Sequence, residues 1–340
     1  MFELGLLPRS LDAALRDLGN PKPDVRLSAL RDLTRYARSG EQGAASALLE
    51  ALKDADEGVR AAAALGLADA DVSFAVTRLL DLAENDVSTR VRQMALLALG
   101  ELSAHDHVSV ADALWKALSA EHAAERFQAL LALHQLAPER AERGVIEGTV
   151  DPDPEVRRLS FRIAEANWSG RELPELVFAR AKAALVDPSA NVRGAAALLL
   201  AQFGDASGEA ALLDLLSGKA TGAGPDDEQA AIEAAAALEL RSAIPLLERR
   251  AYSFFGRDPQ GYHARIALAR LGDERARAAI LRGLEAWTFG ARTLSVAAVG
   301  KAGLVEARRR LEAWLTQPDR ADPAAVREAL ALLDAAEPSA

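Results

Sequence analysis

The sequence contains no cysteine, so neither a disulfide framework nor a thiolate metal site can organise it. The same absence accords with a reducing compartment, and a cytoplasmic location is expected. Aromatic residues make up only 5% of the chain, which leaves the core to aliphatic side chains. Nowhere do about 18 apolar residues run without a charge, so no membrane span is expected. The opening MFELGLLPRS lacks the basic stretch and long apolar run of a secretory leader. Lysine is scarce, 6 residues against 34 arginines, a bias that GC-rich codons produce and that points to a bacterial source.

Alanine and leucine dominate the apolar half of the composition, and both are strong helix formers. A length of 340 residues would ordinarily divide into two or three compact domains. A repeat array escapes that limit, because each unit buries its apolar face only against its neighbours.

One segment recurs along the chain: an Asp- or Pro-rich turn, then Val-Arg, then an Ala/Leu-rich helix. It stands as PKPDVRLSAL at Arg26, DADEGVRAAAAL at Arg60, DVSTRVRQMALLALG at Arg92, DPDPEVRRLSF at Arg157 and DPSANVRGAAALLL at Arg193. Weaker copies lie at Arg126 (AERFQALLAL), Arg292 (FGARTLSVAAVG) and Arg327 (AAVREALALL). From Arg26 to Arg193, with Arg126 included, successive arginines are 34, 32, 34, 31 and 36 residues apart. The next interval, 99 residues to Arg292, holds two degenerate repeats whose register puts Gln229 and Gly261 at the arginine position. Between these helices lies a second set with apolar residues at three- and four-residue spacing, among them SLDAALRDL, ASALLEALKD, VADALWKAL and AIPLLERRAY. Each repeat is therefore a helical hairpin. Ten are expected in one array over residues 1–340, at roughly 10–36, 41–68, 72–103, 107–136, 138–168, 171–204, 206–240, 241–272, 273–302 and 304–336.

The sequence of turn Asp, Val-Arg and AxxAL resembles HEAT repeats, in particular the bacterial HEAT-like repeats named after phycobilisome lyases, over residues 10 to 336. The resemblance implies an all-α, armadillo-like α-solenoid of about ten stacked hairpins. It also implies that the first helix of each hairpin lines a convex face and the second a concave face where partners dock.

Two readings attach to the recurring arginines. Arg26, Arg60, Arg92, Arg126, Arg157 and Arg193 could form a basic stripe for an anionic partner. Their neighbours Asp24, Asp56, Glu125 and Glu155 favour instead a structural Asp–Arg ladder between adjacent turns. Charge is unevenly spread: residues 1–233 carry 24 basic and 37 acidic side chains, residues 234–310 carry 14 and 7, and residues 311–340 return to a net −4. That basic section also interrupts the Ala/Leu pattern with RRAYSFFGRDPQGYHAR. The candidate partner-binding residues are accordingly Arg249, Arg250, Tyr252, Phe254, Phe255, Arg257, Tyr262, Arg308, Arg309 and Arg310. Core packing is the competing explanation for these aromatics, and for Trp287 and Phe289 one repeat later.

Residues 217–228, SGKATGAGPDDE, read as a loop, and SGKAT lacks the upstream glycine of a phosphate-binding loop. His105, His107, His122 and His134 cluster in sequence without the helical i, i+4 spacing of a metal site. No cofactor, metal or catalytic residue is expected. The function these observations favour is a non-catalytic scaffold or adaptor for a protein partner. A bilin lyase-type enzyme and a nucleic-acid-binding HEAT-like protein are the alternatives, the latter disfavoured by the net charge of −10, since phosphate neutralisation supplies most non-specific affinity.

Overall fold

The computed structural model describes residues 9–102, 107–218, 224–253 and 258–336. All regular structure among these residues is helical: twenty α-helices joined by turns and short 3-10 segments. They pair into hairpins, and the hairpins fall into two compact units. The first, Met1–Trp168, holds α1 (Leu11–Asp17) with α2 (Pro23–Arg38), α3 (Gln42–Ala51) with α4 (Glu57–Asp69), and α5 (Val76–Asn85) with α6 (Thr89–Glu101). It is completed by α7 (His107–Ala117) with α8 (Ala123–Leu136) and α9 (Pro138–Gly148) with α10 (Pro154–Asn167). The second, Ser169–Ala340, holds α11 (Glu175–Ala184) with α12 (Ala190–Gln202), α13 (Glu209–Ser217) with α14 (Pro225–Ala237), and α15 (Ile244–Ala251) with α16 (Gly261–Arg270). Its last two pairs are α17 (Glu274–Gly283) with α18 (Phe289–Ala302) and α19 (Arg308–Trp314) with α20 (Pro323–Ala336).

Local chemistry explains where the second helices begin. The carboxylate of Asp56 accepts from the Val59 amide at 3.0 Å, and that of Asp153 from the Glu155 and Val156 amides, satisfying donors that have no partner within the helix. Proline occupies the first helical position of α2, α10 and α14, where its missing N–H costs nothing. This corrects the end of the expected loop over 217–228, of which residues 219–223 lie outside the described residues. Pro225–Glu228 is the first turn of α14, where a leading proline and three acidic residues suit the positive end of the helix dipole. Where α12 and α18 end, Gly204 and Gly303 take positive φ, 77° and 68°, and turn the chain back. Asp71 and Glu239 do so at φ 53° without glycine's freedom.

Each unit has its own core. In the first it runs through Leu30, Leu48, Leu67, Leu79, Leu99 and Leu133, and in the second through Leu215, Ile232, Leu247, Leu268, Val299 and Leu333. Burial of one such side chain contributes about 1.5–3 kcal/mol. The second helices pack directly on one another, α2 to α4 to α6 to α8 in the first unit and α14 to α16 to α18 to α20 in the second, whereas the first helices meet more sparsely. Small residues permit the close approach. A methyl group on Gly300 of α18 would stand 2.6 Å from the Ala329 Cα of α20, and one on Gly100 of α6 would stand 2.9 Å from the Ala132 Cβ of α8.

Candidate functional site

The recurring arginine is the fourth residue of its helix, so its side chain points back over the turn that precedes it. In the first unit it does two things there. One guanidinium nitrogen closes the arginine's own turn: Nη1 of Arg26, Arg60, Arg92 and Arg126 donates to the carbonyls of Asn20, Asp54, Asp86 and Ala120 at 2.7–2.9 Å. The remaining nitrogens reach the next hairpin. Arg26 grips Asp54 at 2.8 and 2.6 Å, Arg60 grips Asp86 at 2.8 and 2.9 Å, and Arg126 grips Asp151 at 2.8 and 2.7 Å, each as a two-pronged charge-assisted pair. Where the corresponding turn residue is Ala120, the carboxylate comes from the helix instead, and Arg92 binds Glu125 at 3.0 and 2.7 Å. The acids that accept the arginines are thus Asp54, Asp86, Glu125 and Asp151; of the four expected, Glu125 is among them, though it takes Arg92 and not its neighbour Arg126, whereas Asp56 is spent capping α4. Arg157 and Arg193 hold their own turns in the same way, through Asp151 and Asp187 carbonyls at 2.7 Å each.

Electrostatics follow the geometry. Burial alone would raise Asp54, Asp86 and Asp151, but the hydrogen bonds from Arg26, Arg60 and Arg126 and from a backbone amide two residues on outweigh it. All three lie below the ordinary carboxylate value.

In the second unit the same position is occupied by Arg193, Glu228, Ala264, Arg292 and Val326. Gln229, Gly261 and Arg327, expected there, sit one residue after, three before and one after it. Arg292 closes its turn through the Ala286 carbonyl at 3.0 Å, and it reaches forward to the backbone carbonyls of Arg320 and Asp319 rather than to a carboxylate. Between α13 and α16 the cation comes from a first helix. Arg250 of α15, only 7% exposed, donates to the Leu216 carbonyl at 2.9 Å and to Glu228 at 2.8 Å.

Among its described residues, the expected basic and aromatic cluster does not form one surface. Arg250 is corrected outright, because a buried, paired guanidinium is not available to a partner. Tyr252 is half-buried, its hydroxyl on Asp273 at 3.2 Å and its ring under the Arg275 guanidinium at 3.7 Å. Tyr262 donates to the Leu294 carbonyl at 3.0 Å. Arg249 is exposed, with its closest acceptor the Ser217 carbonyl at 3.4 Å. Arg308, Arg309 and Arg310 are consecutive on α19 and so point in three directions: Arg308 pairs with Asp334, Arg310 lies over Trp314 at 5.3 Å, and Arg309 is exposed. Phe254, Phe255 and Arg257 fall outside the described residues. Trp287, in the turn before α18, is 97% exposed, and Phe289 beside it is nearly half exposed, so these two aromatics do not fill the core.

What sequence reading missed is the exposed side of the second-helix layers. In the first unit a groove of 500 Å³ crosses α2, α4 and α6, floored by Leu30, Ala61 and Gly66 and rimmed by Arg31, Asp69 and Arg90. In the second a groove of 290 Å³ crosses α14, α16, α18 and α20. It lies over the buried Ile232, Ala236, Ile266 and Ala267, and the side chains exposed along it are Glu233, Arg270, Lys301 and Leu332, with His263 half-buried. Glu233 is engaged, accepting from Gln229 at 3.0 Å with His263 Nδ1 at 3.7 Å. Desolvation, reinforced by Lys301 and opposed by Glu233, lowers the His263 pKa, so the imidazole is neutral near pH 7. Arg270 and Lys301 have no hydrogen bond or ion pair among the described residues.

Of the remaining histidines, His122 precedes α8, His134 is half-buried within it, His107 begins α7 and His105 lies outside the described residues. Among the described residues no cluster of three potential metal ligands occurs, and no helix is long and apolar enough to cross a membrane.

Residues 11–100 match the family model of HEAT repeats. No curated protein sequence matches the chain. Among solved structures, YibA of Escherichia coli superposes with a TM-score of 0.58 at 20% identity, over 78% of this chain and 93% of that one. Kap95p, solved with RanGDP, superposes with a TM-score of 0.50 at 15% identity, over 95% of this chain and 51% of that one. At such identities the likeness is one of fold.

Proposed function

We propose that the chain is a non-catalytic scaffold that binds a protein partner on the exposed face of its second helices. One observation carries the reading: in each unit that face bears a groove built from successive hairpins and lined by charged side chains together with accessible apolar ones, Leu27, Leu65 and Met94 in the first unit and Leu332 in the second. Apolar anchoring surface ringed by polar side chains is the anatomy of a protein interface. The fold agrees with such a use, since Kap95p, of similar architecture, binds RanGDP. Within the family, the turn Asp and Val-Arg motif favours the bacterial repeats named after phycobilisome lyases, and no observation on this chain favours pigment chemistry. A cytoplasmic bacterial adaptor is the resulting picture.

Photo-crosslinking tests it. A photoreactive residue replaces Arg90 or Glu233 on the second helices, or Glu50 or Leu176 on the first, in tagged full-length protein exposed to nuclease-treated lysate of its source organism. The reading expects one partner protein, crosslinked from the second-helix positions and not from the first. Crosslinks confined to the first helices, or recovery of nucleic acid or a coloured small molecule in place of protein, would overturn it.

A further inference from the structure

The hairpins repeat closely enough that one missing side chain leaves a gap. Leu18, Leu52, Leu118, Leu185 and Leu284 each stand eight residues before the recurring arginine, and Thr149 replaces leucine once. Leu52 and Leu284 are 4% and 1% exposed. Leu118 fills the space between α7 and α9: a methyl group on Gly144 of α9 would stand 2.6 Å from its Cδ1 and 3.5 Å from Leu130 of α8. In the third hairpin, α5 with α6, the same position is Glu84. Its side chain is 57% exposed and pairs with Lys116 of α7, and where the leucine would lie there is a cavity of 350 Å³. The register matches wall for wall. Glu84, Leu96 and Ala113 line this cavity, and they correspond to Leu118, Leu130 and Gly144 one repeat on. Leu80, Ala83 and Ala117 extend the apolar lining, and Ala120 adds only a methyl group where other turns carry Asp54, Asp86 and Asp151.

We propose that this cavity, between α5 and α7 on the first-helix side, binds an uncharged apolar small molecule. Protein interiors are close-packed, and the next hairpin shows how a leucine closes the same space. The volume falls within the range of about 300–1,000 Å³ usual for small-molecule pockets. It is roughly twice the ~150 Å³ that accepts a benzene ring, which sets the ligand at about ten to twelve carbon atoms. A single side chain from a partner protein would fill only part of it. The charges on the lining are already matched: Glu84 and Lys116 hold each other, and Glu125, 5% exposed, takes two bonds from Arg92 at 3.0 and 2.7 Å. A charged ligand would have to break one of these pairs or enter without a partner. An uncharged one leaves both intact and covers Leu80, Ala83, Ala113 and Ala117, all partly exposed. Ser119, exposed in the turn after α7, offers it a hydroxyl. The site goes beyond the scaffold reading and is independent of it, since it does not lie on the second-helix face.

The experiment titrates full-length protein with naphthalenemethanol, an uncharged two-ring alcohol, by isothermal titration calorimetry. Saturable binding of one molecule per chain is expected. Naphthoate and naphthylmethylamine, its anionic and cationic counterparts, are expected to bind about tenfold more weakly or worse. Glu84→Leu restores the residue of the neighbouring hairpins and fills the cavity. It is expected to abolish binding while raising the melting temperature by about 2–4 °C, so that the loss is not one of folding. Ala113→Leu fills the same space from α7 and should abolish binding too, whereas Glu84→Gln leaves the cavity open and should retain it. Absence of saturable binding to the native protein, unaltered binding in both filled variants, or equal or tighter binding of either charged counterpart overturns the proposal. A higher melting temperature in Glu84→Leu without any binding to the native protein also overturns it, by showing a packing defect and no site. The scaffold reading stands or falls separately, on the crosslinks from the second-helix face.

Discussion

In the first unit, successive turns are tied by arginines that each hold their own turn with one nitrogen and the next hairpin's carboxylate with two more. The second unit keeps the hairpins and changes the ties: Arg250 crosses from the opposite helix to Glu228, and Arg292 ends on backbone carbonyls. Stacking therefore does not depend on the ladder. Both units bury the same kind of Ala/Leu core, and that core sets the spacing of hairpins, while the ladder fixes the turns laid over it. Ion pairs at partly exposed turns contribute modestly, whereas truncating a core leucine costs several times more.

The comparison can be broken at its strongest point by Leu99→Ala in the first unit and Leu268→Ala in the second, both fully buried. Each is expected to cost about 2–5 kcal/mol. Hydrogen exchange should rise in the mutated unit alone, and simultaneous loss of protection in both would show that they do not behave as separate units. Next comes Arg250→Met, which leaves Glu228 facing a desolvated site and should cost about 3 kcal/mol. Arg60→Met, by comparison, removes its charge-assisted bonds to Asp86, whose carboxylate still accepts from the Ser88 amide, and should cost about 2 kcal/mol. Chemical denaturation of the two variants sets the order. Comparable in size is the effect of Gly300→Ala, about 1–3 kcal/mol, because the new methyl group meets the backbone of Ala329. Gly100→Ala meets the Ala132 Cβ at 2.9 Å, which moves only with its backbone, but the clash is milder and helix propensity offsets part of it, so its cost in thermal melts should be smaller than that of Gly300→Ala.

The smallest expected difference is in response to acid. Asp54, Asp86 and Asp151 have folded pKa values below their unfolded ones, so the stability they contribute is present above about pH 4 and is lost as pH falls through the folded values. The carbonyl acceptors of Arg292 do not titrate. Hydrogen exchange, corrected for its intrinsic pH dependence, should loosen the turns before α4, α6 and α10 on acidification while the turn before α18 changes less.

Much of the hairpin architecture was legible because its signals are local. The turn Asp and the arginine six residues later lie within one short stretch, as at Asp54 and Arg60, and an amphipathic first helix announces itself by its own spacing. The arginine's acceptor is 25 to 33 residues further on and is brought near only by stacking, which is why Asp24 and Asp56 stood in for Asp54 and Asp86. Gln229 and Gly261 were misplaced for a related reason: with the arginine gone, nothing in α14 or α16 marks the register. The groove was least legible, since each of four helices contributes one to four side chains from points about a repeat apart. A basic balance over residues 234–310 was its only trace, and the same balance drew in the buried Arg250.

The arginine's grip on its own turn also works as a length gauge. Turns that feed a helix bearing the arginine are short: 52–56, 118–122, 149–153, 185–189 and 284–288 have five residues each, and 86–88 has three. Ahead of α14, α16 and α20, which lack it, the helices are further apart in sequence: seven residues separate α13 from α14, nine separate α15 from α16 and eight separate α19 from α20. A guanidinium that must reach carbonyls five and six residues back tolerates no extra chain, and its loss releases the turn to lengthen. Insertions and deletions in descendants of this sequence should therefore gather at those three turns, and a peptide grafted there should be accepted where one at 52–56 is rejected.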